Sequence, residues 1–113
     1  MKPNYKDDRG EITDLLVNDL GSVTHVTFTP GATRGNHVHH KTTQNDFVLK
    51  GRLIVSKDGV EEEVKTGDWI NIPAGVPHAY RAFEDSELVS ICLGIRKGEE
   101  YENDTIRLEE PLL

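Results

Sequence analysis

The sequence predicts an all-β protein that folds as one antiparallel sandwich or barrel. Short apolar or alternating segments recur along the chain, and turn signals rich in glycine and proline separate them. No segment shows a convincing helical period, so a helical fold is excluded. With 113 residues, 35% of them hydrophobic, the chain has room for a single domain with one modest core.

The strands follow from these patterns in chain order. In residues 22–29, apolar and polar side chains alternate until a Pro-Gly pair ends the segment. Glycine-containing turns divide the rest of the chain, and the proline-rich segment 73–77 cannot belong to a regular ladder. The remaining predicted strands are residues 47–49, 53–55, 60–64, 69–72, 78–83 and 88–95.

Some residues of these strands carry expectations about burial. Three consecutive glutamates, residues 61–63, indicate a solvated edge strand that resists pairing with other chains. Trp69 and Cys92 are expected in the core, and a structural role is expected for His25. Because Cys92 is the single cysteine, it cannot form an internal disulfide.

Charge and hydropathy exclude several classes of partner. The 13 basic and 20 acidic residues give a net charge of −7, and no basic stripe is present, so we expect no nucleic-acid binding. The longest mostly apolar run, residues 88–95, is far shorter than the roughly 20 residues of a membrane span. Residues 1–10 lack the apolar core of a signal peptide, and we expect a cytoplasmic protein.

Histidines carry the main chemical signal. His37 and His39 are two residues apart, which on a strand directs both imidazoles to the same face. A third nitrogen donor on another strand would complete three corners of a site for a divalent transition metal, and His78 is the candidate. His40 has the opposite orientation on a regular strand and is expected outside the site.

The spacing of glycines, proline and these histidines resembles the two motifs of the cupin superfamily, G-x5-H-x-H-x3-4-E-x6-G and G-x5-P-x-G-x2-H-x3-N. The motifs fall on residues 31–51 and 67–82. The resemblance implies a single cupin domain over residues 1–113, a double-stranded β-helix or jelly-roll barrel. It also implies that the lumen holds a divalent metal (Fe, Mn, Ni or Zn), with His37, His39 and His78 as ligands.

Two positions depart from the cupin motifs. Gln44 stands where the family has glutamate, and Ala82 stands where it has asparagine. Gln44 could coordinate a metal only through its neutral carbonyl oxygen, or it could instead hydrogen-bond a substrate or a histidine. A metal-free pocket built on the same residues is the alternative to a metal site.

A looser resemblance concerns the substrate. Residues 8–10 (DRG), 34–39 (RGNHVH) with Lys41 and Gln44, and 101–104 (YEND) look like stretches of the nucleotide-sugar 3,4-ketoisomerases, and to a lesser degree of 3,5-epimerases of 4-keto sugars. The resemblance implies keto-sugar chemistry, which the ketoisomerases perform with two histidines and no metal. This chain has Pro77 where those enzymes have tryptophan.

Three further residues are candidates for the site. On a regular strand Asp46 shares the inward orientation of Gln44 and is a candidate general base, unless a bulge turns it to solvent. Tyr80 shares the orientation of His78 and could be a general acid, a substrate hydrogen-bond donor or a plain wall residue. Arg34 could clamp a carboxylate or phosphate at the barrel mouth, or could be a solvated surface residue.

The leading hypothesis is a metal-centred cupin that isomerises or epimerises a small polar molecule such as a sugar or keto-sugar. A bound ion or a protonated histidine polarises a carbonyl, while His37, His39 or Asp46 moves a proton on the adjacent carbon. An iron-dependent dioxygenase and a non-catalytic sugar- or metal-binding module are the alternatives, so enzymatic activity stays open.

We expect a homodimer, with the tail 96–113 packed on the barrel or on a partner subunit.

Overall fold

Two antiparallel sheets enclose the core in the computed structural model of the chain, which describes residues 2–94 and 105–113. The first sheet has six strands in the order β1-β2-β3-β10-β5-β8, and the second has five in the order β11-β4-β9-β6-β7. The strands are β1 (Tyr5–Asp7), β2 (Gly10–Asn18), β3 (Gly21–Phe28), β4 (Thr33–His39), β5 (Thr43–Lys50), β6 (Arg52–Lys57), β7 (Val60–Lys65), β8 (Trp69–Ile72), β9 (His78–Ala82), β10 (Ser86–Leu93) and β11 (Thr105–Arg107).

This architecture confirms the predicted all-β fold with a jelly-roll arrangement. The turns expected at Gly51, Gly59 and Gly67 separate β5 to β8, and β8 has the predicted bounds Trp69–Ile72. The core forms where the inward faces of the two sheets meet. Its fully buried side chains include Val48 from the first sheet and Leu53 and Val55 from the second.

The strands at both ends of the described chain were not predicted from the sequence. Neither β1 nor β2 was predicted, although β2 is nine residues long. At the other end, β11 pairs antiparallel with β4, so residues 105–107 of the tail pack on the barrel itself. Ile95 and residues 101–104, which carried part of the sugar-enzyme resemblance, lie outside the described residues.

Burial predictions were confirmed for two features and wrong for one. β7 is an edge strand and the three glutamates at 61–63 are exposed, as expected. Cys92 is buried. Trp69, however, is 61% exposed, because β8 lies at the edge of its sheet and turns this side chain away from the core. Its ring contacts the Phe47 ring instead, with centroids 4.8 Å apart.

His25 has a structural role, as expected. Its Nε2 lies 2.8 Å from Oε1 of Glu87 on the neighbouring strand β10. This cross-strand pair is remote from the other histidines in the sheet order, since it joins β3 to β10 in the first sheet.

Within the described residues, no helix is long and apolar enough to span a membrane.

Candidate functional site

A cavity of about 450 Å³ opens between the two sheets. Both sheets contribute to its wall, and much of the wall is apolar. The polar side chains relevant to its chemistry are those of Arg34, His37, His39, Gln44, His78 and Tyr80. Every site residue named from the sequence except Asp46 therefore lines this cavity.

Three imidazoles converge in the cavity. One nitrogen from each of His37, His39 and His78 lies within 4.8 Å of the other two. His37 and His78 are direct partners in the register between β4 and β9, which brings their ring centroids to 4.6 Å. His39 and His78 are almost fully buried, and His37 is half-buried.

A bulge in β4 helps to set the direction of His37. The register between β4 and β9 shifts between Gly35 and His37, so the strand is less regular than the expected simple alternation. Gly35 (φ 89°) and Asn36 (φ 58°) both adopt positive φ angles, a conformation that glycine and asparagine tolerate best. A Cβ atom at Gly35 would lie 3.3 Å from both the Cα of Ala79 and the backbone oxygen of His78. This bulge thus allows β4 to approach β9 closely at the histidines.

Asn36 also attaches the end of the chain to this bulge. Its Nδ2 donates to the carbonyl oxygens of Leu108 and Glu110, and its Oδ1 accepts a 2.7 Å hydrogen bond from the backbone N–H of Leu112. The chain end is thereby held against the strand that carries His37 and His39.

Neighbouring groups orient two of the three imidazoles. His78 Nδ1 lies 3.1 Å from the carbonyl oxygen of Val76, which can only accept, so Nδ1 carries the proton and Nε2 keeps its lone pair. His39 Nδ1 lies 3.1 Å from Oγ1 of Thr105 on β11. Such hydrogen bonds from the outer ring nitrogen commonly fix metal-ligating histidines. The Thr105 partner was not predictable from the sequence, because it is 66 residues from His39 along the chain.

The three histidines fit a divalent transition metal. They form a group of neutral, mostly buried nitrogen donors, which suits ions of the Zn, Fe and Ni type. Around an ion about 2.0–2.1 Å from each nitrogen, tetrahedral geometry places the nitrogens about 3.3 Å apart. The three nitrogens, all within 4.8 Å of one another, are compatible with that spacing.

Gln44 joins this centre to a buried carboxylate. Its Nε2 donates a 2.7 Å hydrogen bond to Oδ2 of Asp46. Because a carboxylate accepts and the amide nitrogen donates, this bond sets the orientation of the amide and leaves the carbonyl oxygen Oε1 for another partner. The bond is therefore compatible with coordination by Gln44 and with a hydrogen bond to a ligand.

Asp46 is fully buried, so the bulge that would have turned it to solvent is absent. It lies behind the cavity wall rather than on it, and the hydroxyl of Tyr80 donates a 2.6 Å hydrogen bond to the same Oδ2. Burial raises the pKa of Asp46, against the opposing effect of hydrogen bonds from Ser90, Tyr80 and Gln44. The pKa of Tyr80 is raised well above its usual value, mainly by burial and secondly by the adjacent charge of Asp46.

Arg34 is buried, not solvated, with 7% of its surface exposed. Its guanidinium carbon lies 5.7 Å from the centre of the Phe28 ring, and its Nη2 lies 3.8 Å from Oδ1 of Asp7. Burial is the main cause that lowers its pKa, followed by the charge of Arg9. An arginine remains protonated at neutral pH in spite of such a shift.

His40, in contrast, is exposed next to the site, as expected.

The sequence model of the cupin domain family matches residues 24–94. Over 45 residues the chain is 47% identical to quercetin 2,3-dioxygenase of Bacillus subtilis, covering 40% of this chain and 13% of the relative. Over 50 residues it is 40% identical to UDP-2-acetamido-2,6-beta-L-arabino-hexul-4-ose reductase of Pseudomonas aeruginosa, covering 43% of this chain and 13% of that enzyme. The chain thus spans about an eighth of the length of these two relatives.

Among solved structures, the chain is similar to the capsular polysaccharide assembling protein CapF from Staphylococcus aureus. The TM-score is 0.82 at 25% identity, over 96% of this chain and 34% of CapF. A cupin described as RmlC-like, from Shewanella frigidimarina, superposes with a TM-score of 0.75 at 23% identity over 85% of this chain and 87% of its own. This second likeness concerns the fold alone.

Proposed function

Because the chain belongs to the cupin family, we propose that it holds a divalent metal ion in its barrel and acts on a small keto-sugar by isomerisation or epimerisation. The observation that carries this proposal is the convergence of three imidazoles within 4.8 Å on the wall of a cavity large enough for a small polar molecule. His37, His39 and His78 would hold the ion, and Gln44 Oε1 is the candidate fourth ligand. The ion would supply Lewis-acid polarisation of a substrate carbonyl.

Tyr80 and Asp46 are the proposed proton-transfer pair. Tyr80 lines the cavity, whereas Asp46 lies behind the wall and accepts hydrogen bonds from two lining residues, at 2.6 Å from the Tyr80 hydroxyl and at 2.7 Å from Gln44 Nε2. Tyr80 takes the proton from the carbon beside the carbonyl and passes its own proton to Oδ2 of Asp46. In an isomerisation, the hydroxyl proton on that carbon moves to the former carbonyl oxygen, and the reverse transfer through Tyr80 returns a proton on the same face to the former carbonyl carbon. In an epimerisation, a solvent proton would add to the opposite face of the enolate, and Asp46 would release its proton through Tyr80 to solvent.

The comparisons support a sugar substrate without assigning one. One relative is named for a UDP-linked hexulose, and CapF is described as assembling a capsular polysaccharide. The metal-free version of the reaction uses the same cavity, with a protonated histidine in the polarising role. Elemental analysis of the active protein separates the two versions.

The test is the transfer of solvent deuterium to substrate carbon. The chain is incubated in D2O with a panel of keto-sugars, free and nucleotide-linked, and the C–H signals are followed by NMR. We expect exchange that His39→Ala and Tyr80→Phe abolish or reduce by at least about 100-fold. His40→Ala is the matched control, since this neighbouring histidine is exposed. If no keto-sugar binds or exchanges, or if His39→Ala leaves turnover unchanged, the proposal fails.

An iron-dependent dioxygenase is the second candidate, favoured by the 47% identity to quercetin 2,3-dioxygenase over 45 residues. Such an enzyme requires open coordination positions for O2 and substrate, which a three-histidine centre can provide. Oxygen uptake by the iron-loaded protein with thiols, diketones or flavonols distinguishes the two, because isomerisation consumes no oxygen. Saturable sugar binding without exchange or oxygen uptake would indicate a binding module.

We further propose that the chain forms a homodimer. Several apolar side chains of the first sheet are exposed, among them Leu16 on β2, Leu93 on β10 and Leu20 in the turn after β2. A second copy that covered them would bury apolar surface and a sheet edge. Light scattering at micromolar concentration tests this, and a monomeric mass would contradict it.

A further inference from the structure

Arg34 places a buried permanent cation on the wall of the cavity, three residues before His37 on the same strand. Only 7% of its surface is exposed, yet its Nε and Nη2 have no hydrogen-bond acceptor among the residues that the structure describes. Buried guanidinium N–H groups are normally paired, since an unmade hydrogen bond to a charged group is costly. Because Arg34 lines the cavity, a ligand bound there is the candidate acceptor for these two donors.

Asp7, the nearest carboxylate, does not fill this role. Its Oδ2 accepts from both Nε and Nη2 of Arg9, at 2.9 and 2.6 Å, and its Oδ1 accepts from the backbone N–H of Arg9. Arg34 Nη2 lies 3.8 Å from that Oδ1, beyond hydrogen-bond distance. Arg9 thus engages both oxygens of Asp7, and Arg34 forms an ion pair with Asp7 at 3.8 Å but no hydrogen bond.

The two donors of Arg34 form one recognition edge. Nε and Nη2 lie on the same side of the planar guanidinium, spaced to match the two oxygens of a carboxylate. In this chain, Arg9 uses the same edge toward Asp7. In Arg34 the corresponding edge is buried, and the residue lines the cavity beside the histidine centre.

The charges around the cavity favour an anionic ligand. The three histidines and Gln44 are neutral donors, so a dication bound there and Arg34 would add positive charge that the wall does not fully offset. Asp14 supplies one carboxylate to the lining, and its Oδ1 accepts from Thr24 Oγ1. With one arginine and one carboxylate on the wall, the cavity suits one negative charge better than a phosphate dianion.

From the Arg34 geometry, and resting on the proposed function, we infer that the substrate is a sugar acid: a keto-sugar whose carboxylate binds the Nε–Nη2 edge of Arg34 while its carbonyl lies at the histidine centre. Arg34 is then a binding residue that selects the substrate class and holds the carbonyl in place. Neutral keto-sugars lack the group that this edge requires.

Three keto-sugars that differ in the charged group test the inference: 5-keto-D-gluconate (a carboxylate), D-fructose (neutral) and D-fructose 6-phosphate (a phosphate ester). Binding to the metal-loaded protein is measured by calorimetry, and the metal content of every sample is determined. We expect 5-keto-D-gluconate to bind at least about 30-fold more tightly than D-fructose, the scale of a charge-assisted bidentate pair. Arg34→Gln should abolish this preference, and Arg34→Lys, which keeps the charge without the fork, should reduce it about tenfold or more.

Arg81→Gln is the matched control, because Arg81 is exposed on β9 and does not line the cavity. If Arg34→Gln does not fold, Arg34→Lys and the comparison of the three ligands on the wild type still test the inference. Equal binding of 5-keto-D-gluconate and D-fructose to metal-loaded protein overturns the inference and leaves the metal centre standing. Tighter binding of D-fructose 6-phosphate overturns the carboxylate assignment. A chain that binds no metal, yet prefers 5-keto-D-gluconate in an Arg34-dependent way, overturns the metal proposal and supports the Arg34 site.

Discussion

Replacing Tyr80 by phenylalanine removes one hydroxyl from the most buried polar contact of the site. Tyr80 is 4% exposed and Asp46 fully buried, and the hydroxyl donates to Asp46 Oδ2 over 2.6 Å. A buried hydrogen bond to a charged group contributes about 1.5–3 kcal/mol. In a domain of this size each kcal/mol corresponds to roughly 4 °C in Tm, so Tyr80→Phe should lower Tm by about 6–12 °C.

The assay pairs thermal unfolding with metal analysis. Tyr80→Phe should be destabilised and lose proton transfer, yet bind metal as the wild type does, because the histidine donors are intact. Tyr5→Phe is the matched control: Tyr5 is 51% exposed, and its hydroxyl should contribute less than about 0.5 kcal/mol. An unchanged Tm for Tyr80→Phe would show that this hydroxyl does not stabilise Asp46, and loss of metal would show that Tyr80 belongs to the coordination sphere.

Two further substitutions and the removal of metal by a chelator test how the chain positions the three histidines and whether they bind an ion. Thr105→Val should weaken Zn²⁺ binding about tenfold by removing the partner of His39 Nδ1, and Thr105→Ser should restore it; equal affinities would contradict the assigned role. Gly35→Ala should cost about 1–2 kcal/mol in urea unfolding, because alanine at φ 89° is strained and its Cβ would crowd Ala79 and His78; unchanged stability would contradict this. Chelation should lower Tm and added Zn²⁺ should restore it, and a Tm insensitive to both would count against a resident ion.

Local pattern predicted β7, β8 and β9 to within one residue, because each is short and bounded by glycine or proline turns. It predicted only residues 47–49 of β5 and 53–55 of β6. The strand β2 was missed since Leu15, Leu16 and Val17 follow one another, and a register shift between Asp14 and Leu16 interrupts the alternation. The prediction that Trp69 lies in the core was wrong for a different reason. Side-chain type favours burial, but the position of a strand within its sheet decides it, and that position is not local information.

Residues of the candidate site were predictable where motif spacing or the alternation of side chains on a strand identified them. Parity on β5 gave Asp46 the orientation of Gln44 and left a bulge toward solvent as the alternative, and the structure buries both side chains. The support of the site was not predictable, because it comes from distant segments. Thr105 reaches His39 only through the pairing of β11 with β4. The positive φ of Asn36, likewise, arises from a bulge that a single sequence does not reveal.

Metal binding by His37, His39 and His78 is the basis of the proposed function. Equilibrium dialysis of chelator-treated protein against Zn²⁺, followed by elemental analysis, measures the bound metal directly. We expect about one ion per chain for the wild type and for His40→Ala, and loss of that ion in His78→Ala. No bound ion in the wild type, or equal binding in His78→Ala and the wild type, would contradict it.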